Sequence, residues 1–116
     1  MKFLRSIVVT ALLLVNLFIA VNPAGADTFD VKMGNGKGQL VFEPKVLTIK
    51  VGDTVRWINY KAYPHNVVFN DESLSHKKLL LKPQQTVETT FTKAGEYEYY
   101  CTPHRGAGMV GKIIVQ

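Results

Sequence analysis

An all-β domain, arranged as an antiparallel sandwich or barrel, is the fold this 116-residue chain predicts. Three observations carry that expectation. From Thr28 onward, short β-type runs alternate with turn clusters. No stretch repeats apolar residues at the three-and-four spacing of an amphipathic helix. The chain beyond residue 26 is 90 residues long (116 less 26), enough for one core and too short for two.

The elements follow in order. Thr28 to Met33 reads as a first strand, and Gly34-Asn35-Gly36-Lys37-Gly38 as turn material rich in residues that tolerate positive φ. Leu40, Val41 and Phe42 form a short second strand that ends at Pro44, which has no N–H for a ladder bond. Leu47, Ile49 and Val51 alternate with Thr48 and Lys50, so a third strand turns them inward. After the Gly52-Asp53 turn, Val55 and Trp57 share one face and Thr54, Arg56 and Ile58 the other. Trp57 is therefore expected in the core rather than as a binding platform. Asn59 to Pro64 is a loop, and His65 opens the apolar run Val67 to Phe69. Residues 70–78 are polar, with one short helical turn expected near 71–77 and His76 read as solvated. Leu79 to Leu81, Thr86 to Thr92, Glu96 to Cys101 and Val110 to Gln116 complete about eight strands. In the run ending at Cys101, Tyr97, Tyr99 and Cys101 share the inward face, and in the last run Ile113 and Val115 oppose Lys112 and Ile114.

Residues 1–26 read as a secretory signal. Lys2 and Arg5 make a basic start, residues 7–21 are apolar apart from Thr10 and Asn16, and Ala24-Gly25-Ala26 offers a small-x-small cleavage site after Ala26. A membrane anchor is the rival reading, but 15 residues interrupted by an asparagine fall short of the roughly 20 a spanning helix needs. The domain is then 27–116, with no membrane span. Loss of Lys2 and Arg5 takes the formal charge from +5 to +3. Its lysines and arginines are interspersed with carboxylates, and no basic run or nucleic-acid motif is present.

Chemistry concentrates in Tyr99 to Met109, YYCTPHRGAGM. The single cysteine of an exported chain has no partner for a disulfide, and alone it is only a flag. Beside it, His104 and Met109 complete the pattern Cys101-x-x-His104-x-x-x-x-Met109, a soft donor set that favours copper over hard cations. Pro103 with Gly106, Gly108 and Gly111 argues for a looped turn rather than a helix face. A His2Cys plane with a weak axial methionine needs one more imidazole. His65 in YPHN is the candidate, although a histidine at a strand entrance is by default a structural or surface residue. Asn66 beside it can tie two loops together through its side-chain amide.

With these residues in place the chain resembles the plastocyanins, and specifically their short cyanobacterial type. The matching strings are VKMGNGKGQLVFEP, PHNVVFN, LSHKKLLL and YYCTPHRGAGMVGKIIVQ, which are spread along the domain from residue 31 to residue 116. The resemblance implies a cupredoxin fold, an antiparallel or mixed eight-stranded Greek-key β-sandwich. It implies one type 1 copper ion, Cu(I) or Cu(II), held by His65, Cys101, His104 and Met109. It further implies a monomeric one-electron carrier, not an enzyme, working between cytochrome f of the cytochrome bf complex and photosystem I. The compartment it implies is the thylakoid lumen, with the periplasm as the other exported destination. In the family an apolar patch surrounds the second histidine. Gly38, Leu40, Ala62, Pro64, Pro103, Gly106 and Ala107 match it here, though glycine and proline also serve ordinary turns. Tyr100 matches the exposed tyrosine of the family's remote docking site, and Arg105 the arginine that cyanobacterial members use with photosystem I. Two departures stand out. Only Asp71 and Glu72 occupy the segment that is acidic and longer in plants, so apolar docking is expected to outweigh charge steering, and Tyr60 replaces the family's usual asparagine.

A periplasmic copper-binding or delivery protein is the alternative from another class, and it requires an exchangeable site. A Cys/His hydrolase lacks a third orienting residue, and a copper oxidase lacks a second set of histidines once His76 is set aside. Zinc in a His2Cys site is chemically possible but leaves Met109 without a role.

Overall fold

A computed structural model describes residues 26–116. The secretory segment expected over 1–26 lies, Ala26 apart, outside the described residues. Among the described residues, no helix is long and apolar enough to cross a membrane.

Nine strands form: β1 (Thr28–Met33), β2 (Phe42–Glu43), β3 (Val46–Ile49), β4 (Thr54–Asn59), β5 (His65–Phe69), β6 (His76–Leu80), β7 (Thr86–Thr90), β8 (Gly95–Tyr100) and β9 (Val110–Val115). They make two facing sheets, one ordered β2-β1-β4-β7 and the other β3-β9-β8-β5-β6. The pairs β1/β4 and β3/β9 are parallel and the rest antiparallel, so the sandwich is of the mixed kind. The strand count exceeds the expected eight by one, with two-residue β2 the shortest.

Period-two alternation sets which side chains fill the space between the sheets. In β4, Val55, Trp57 and Asn59 are buried while Thr54, Arg56 and Ile58 are only half-buried. Central β5 is buried at all five positions: Val67 and Phe69 join the core between the sheets, while Asn66, of opposite parity, is covered by Thr102, to which it is hydrogen-bonded. Trp57 sits in the core as expected, wholly buried, with its ring edge-on to Phe69 at 5.9 Å and Tyr99 at 5.5 Å between centroids. Burial of so large a ring contributes on the order of 2–3 kcal/mol at this site by transfer alone. Asp53, 2 % exposed, anchors the start of β1: its carboxylate accepts from the backbone N–H groups of Ala26 and Asp27, and its other oxygen from Lys50.

Several expectations need correcting. Val51 does not face inward; β3 ends at Ile49, and Val51 lies in the following turn, exposed. Asn59 is not a loop residue but the buried end of β4, where its amide donates to the carbonyls of Leu80 and Lys82. His76 is not solvated. It begins β6, half-buried, with Nε2 bonded to the Thr89 hydroxyl across the sandwich at 2.8 Å and its ring 6.3 Å from that of Trp57. Because the Thr89 hydroxyl already donates to Leu74 O, it accepts from His76 Nε2–H. The short helical turn near 71–77 is present as a 3-10 turn, Glu72–Leu74, capped by the Asp71 side chain.

The strand directions bring to one end of the sandwich the C-termini of β1, β4 and β8 and the N-termini of β5 and β9. The loops after Met33, Asn59 and Tyr100 meet there.

Candidate metal centre

Three of those chain ends supply the donors. His65 is the first residue of β5 and is wholly buried. Cys101 follows β8 directly and is also wholly buried, as its inward parity predicts. His104 lies in a second 3-10 turn, Thr102–Ala107, and is half-buried. This turn replaces the irregular loop expected from the glycines. Pro103 near its start costs nothing because an N-terminal residue has no intrahelical acceptor to satisfy. Gly108 ends it at φ 87°, where its N–H bonds to the carbonyls of Arg105 and His104. That cap returns the chain so that Met109, wholly buried, lies beside Cys101, joined by Cys101 N–H to Met109 O at 3.1 Å and Met109 N–H to His104 O at 3.1 Å.

One donor atom from each of His65, Cys101 and His104 lies within 4.8 Å of the other two. The Cys101 sulfur is 3.6 Å from Nδ1 of His65 and 3.6 Å from Nδ1 of His104. A thiolate and an imidazole at about 2.3 and 2.0 Å from one small ion, about 120° apart, stand roughly 3.7 Å from each other, so the spacing fits a trigonal ion. The donor set of one sulfur and two imidazoles is that of copper or zinc rather than of magnesium or calcium.

The site is held from behind at His65 and at the loop that carries Cys101. Nε2–H of His65 donates to the Lys61 carbonyl at 2.5 Å, which leaves the Nδ1 lone pair turned to the sulfur. Asn66, 3 % exposed, ties the loops as its sequence position suggests. Its Oδ1 accepts Thr102 N–H at 2.7 Å, and its Nδ2 donates to Thr102 Oγ1 and Lys77 O, both at 3.0 Å. Burial pushes the Cys101 thiol up from its ordinary pKa, partly offset by backbone N–H groups of Asn66 and His104 aimed at the sulfur. Burial likewise lowers His65, against the Lys61 carbonyl, with the nearby His104 adding to the lowering. Both shifts favour the neutral forms, and a metal ion binding at the sulfur would displace the thiol proton.

The expected docking residues surround this end. Leu40, Pro64 and Tyr100 are half-buried, while Pro103, Arg105 and Ala107 are exposed. The Arg105 guanidinium lies over the Tyr100 ring, 3.9 Å from its centroid. A groove of about 520 Å³ runs between Pro103, Tyr100 and Lys77 and is also lined by Leu79. Leu79, 41 % exposed, was missed from sequence. The signal was available, since successive residues of a strand point to opposite faces, and of Leu79 and Leu80 only Leu80 is buried. Lys61 was missed as well, because it acts through a carbonyl that every residue type carries.

A family model described as copper binding proteins, plastocyanin/azurin family, matches residues 29–116. The chain is 59 % identical over 105 residues to a plastocyanin of Synechococcus sp., covering 81 % of this chain and 77 % of that one. It is 52 % identical to a plastocyanin of Nostoc punctiforme over 124 aligned positions, covering 94 % and 89 %. Among solved structures, a mutant fern plastocyanin superposes with a TM-score of 0.70 at 26 % identity, covering 76 % of this chain and all of the other. A reduced amicyanin mutant gives 0.64 at 36 % identity, covering 84 % and 89 %.

Proposed function

Since this chain belongs to the plastocyanin/azurin family and is a copper electron carrier, not an enzyme, of the cyanobacterial plastocyanin type, we propose that it takes single electrons from cytochrome f of the cytochrome bf complex and delivers them to photosystem I. The observation that carries this is the pre-formed cluster of one buried thiol and two imidazoles whose Nδ1 atoms face the sulfur. Copper bound there supplies the one-electron Cu(I)/Cu(II) couple.

The chain's own residues do the rest. Cys101, His65 and His104 would hold the ion, and Met109, wholly buried at the same end, would add a weaker thioether donor. Backbone pairing through β5, β8 and β9 and the Asn66 bonds hold the donors in one arrangement, which would keep reorganisation small when a bound ion changes oxidation state. His104, half-buried, is the donor nearest solvent and the exit for the electron. Leu40, Pro64, Pro103 and Ala107 form the apolar contact surface around it, and Tyr100 with Arg105 stacked on it forms the lateral contact. The working form is the monomeric domain 27–116, released into the thylakoid lumen or the periplasm after loss of residues 1–26.

One optical experiment tests the reading. The oxidised copper-loaded protein shows an intense blue thiolate-to-copper band, cytochrome f bleaches it, and flash-oxidised photosystem I restores the loss. Cys101→Ser lacks the band. A colourless Cu(II) protein with ordinary tetragonal spectra, or a blue one that neither partner alters, refutes it.

A further inference from the structure

The Lys61 carbonyl that holds the His65 ring is itself set against a residue with no side chain. Gly34 follows β1 at φ 77°, and a Cβ built on it would lie 2.1 Å from Lys61 O, 2.8 Å from Lys61 C and 3.2 Å from Lys61 Cα. Real Cβ atoms stay beyond 3.0 Å of such neighbours. Any side chain at 34 must therefore move that carbonyl, or the end of β1, by at least the 0.9 Å between those two distances. The loop cannot swing away freely. The N–H groups of Tyr60 and Lys61 both bond to Met33 O at 3.1 Å, and Gly34 N–H bonds to Val41 O at 2.8 Å. Backbone is thus packed on backbone, and the carbonyl has one depth at which it can stand.

We propose that Gly34 is a positioning residue for the metal centre: by admitting the Lys61 carbonyl to contact distance it fixes the acceptor of His65 Nε2–H and so the aim of His65 Nδ1. The inference rests on the reading of His65 as a copper ligand. A ring that loses this acceptor can rotate about its Cβ–Cγ bond or expose its N–H to exchange, and either change alters the bond made by Nδ1. Glycine at 34 is needed for two separable reasons, the positive φ and the contact, and the second belongs to the site.

Gly52 separates them. It has φ 96° and nothing within 4 Å of a built Cβ, and it sits in the turn between β3 and β4. Gly52→Ala therefore carries backbone strain without the collision. The experiment compares Gly34→Ala with Gly52→Ala and the unaltered protein in both oxidation states. It reads the exchange rate of His65 Nε2–H by NMR in the reduced, diamagnetic form, the position of the blue band, and the thermal midpoint. Both variants lose thermal stability. Only Gly34→Ala speeds the Nε2–H exchange, by tenfold or more, and moves the band. Equal loss of stability with unchanged exchange and spectrum in both variants overturns the proposal. Should Gly34→Ala not fold, an ester in place of the Lys61–Ala62 amide weakens the same acceptor without adding an atom near Gly34. The ester is expected to move exchange and band in the same way, and its silence overturns the proposal equally. A colourless unaltered protein would instead refute the ligand reading on which this rests.

Discussion

Replacing Asn66 with alanine removes the side chain that joins the ligand loop to β5. Three hydrogen bonds go with it: from Thr102 N–H at 2.7 Å, to Thr102 Oγ1 at 3.0 Å and to Lys77 O at 3.0 Å. At about 1 kcal/mol net for each, the loss is about 3 kcal/mol. That is a large part of the ~5–15 kcal/mol a domain of this kind has in total. At ~4–8 °C per kcal/mol for a domain under 100 residues, the thermal midpoint of the metal-free protein falls by roughly 12–24 °C. The assay is thermal unfolding followed by circular dichroism on the metal-free protein, where copper cannot mask the change by mass action. A double-mutant cycle with Thr102→Val isolates one of the three bonds and should return a coupling of about 1 kcal/mol. A loss under about 1 kcal/mol for Asn66→Ala together with no measurable coupling would show that the loop is held by its own backbone bonds, and the reasoning fails.

Two further outcomes follow from burial. In the metal-free protein His65 has a lowered pKa, so its folded form resists protonation; stability is complete above the ordinary value of 6.5 and declines as pH falls through it, by up to about 1.4 kcal/mol per pH unit. Cys101 is raised, so stability also declines as pH rises past its ordinary 9.0. Thermal midpoints at pH 5, 7.5 and 10 should therefore peak in the middle, and a flat profile between 7.5 and 5 contradicts the buried neutral imidazole. Trp57→Ala empties the space between Phe69 and Tyr99 and is expected to cost about 3–5 kcal/mol, read as a lowered urea midpoint with unchanged slope; a loss below about 1 kcal/mol would mean the core closes around the gap.

Much of the architecture was open to inspection in the chain itself, for a local reason. Alternation of period two is written residue by residue, so Val55 and Trp57, Tyr99 and Cys101, and Ile113 and Val115 declare their faces without reference to distant partners. The donor types declared themselves in the same way, since Cys101, His104 and Met109 sit within nine residues of one another and share a chemistry that few other roles require.

What the residues by themselves determined is therefore the class of fold, the soft donor loop and, through likeness to a family, the metal and the electron-carrier role. What only the tertiary structure decided depends on distance across the sandwich. Polarity placed His76 in solvent, yet β6 carries it over to Thr89. The leucine run concealed Leu79 as a surface residue until the edge position of β6 was known. The carbonyl oxygen of Lys61 that holds the His65 ring is a backbone atom with no identity in the residue alphabet, and the glycine at 34 is legible in the chain while the close approach of Lys61 to it is not. Backbone groups are the same in every residue, so which of them will meet is settled only when β1 and β4 pair and bring Met33 and Asn59 to one end.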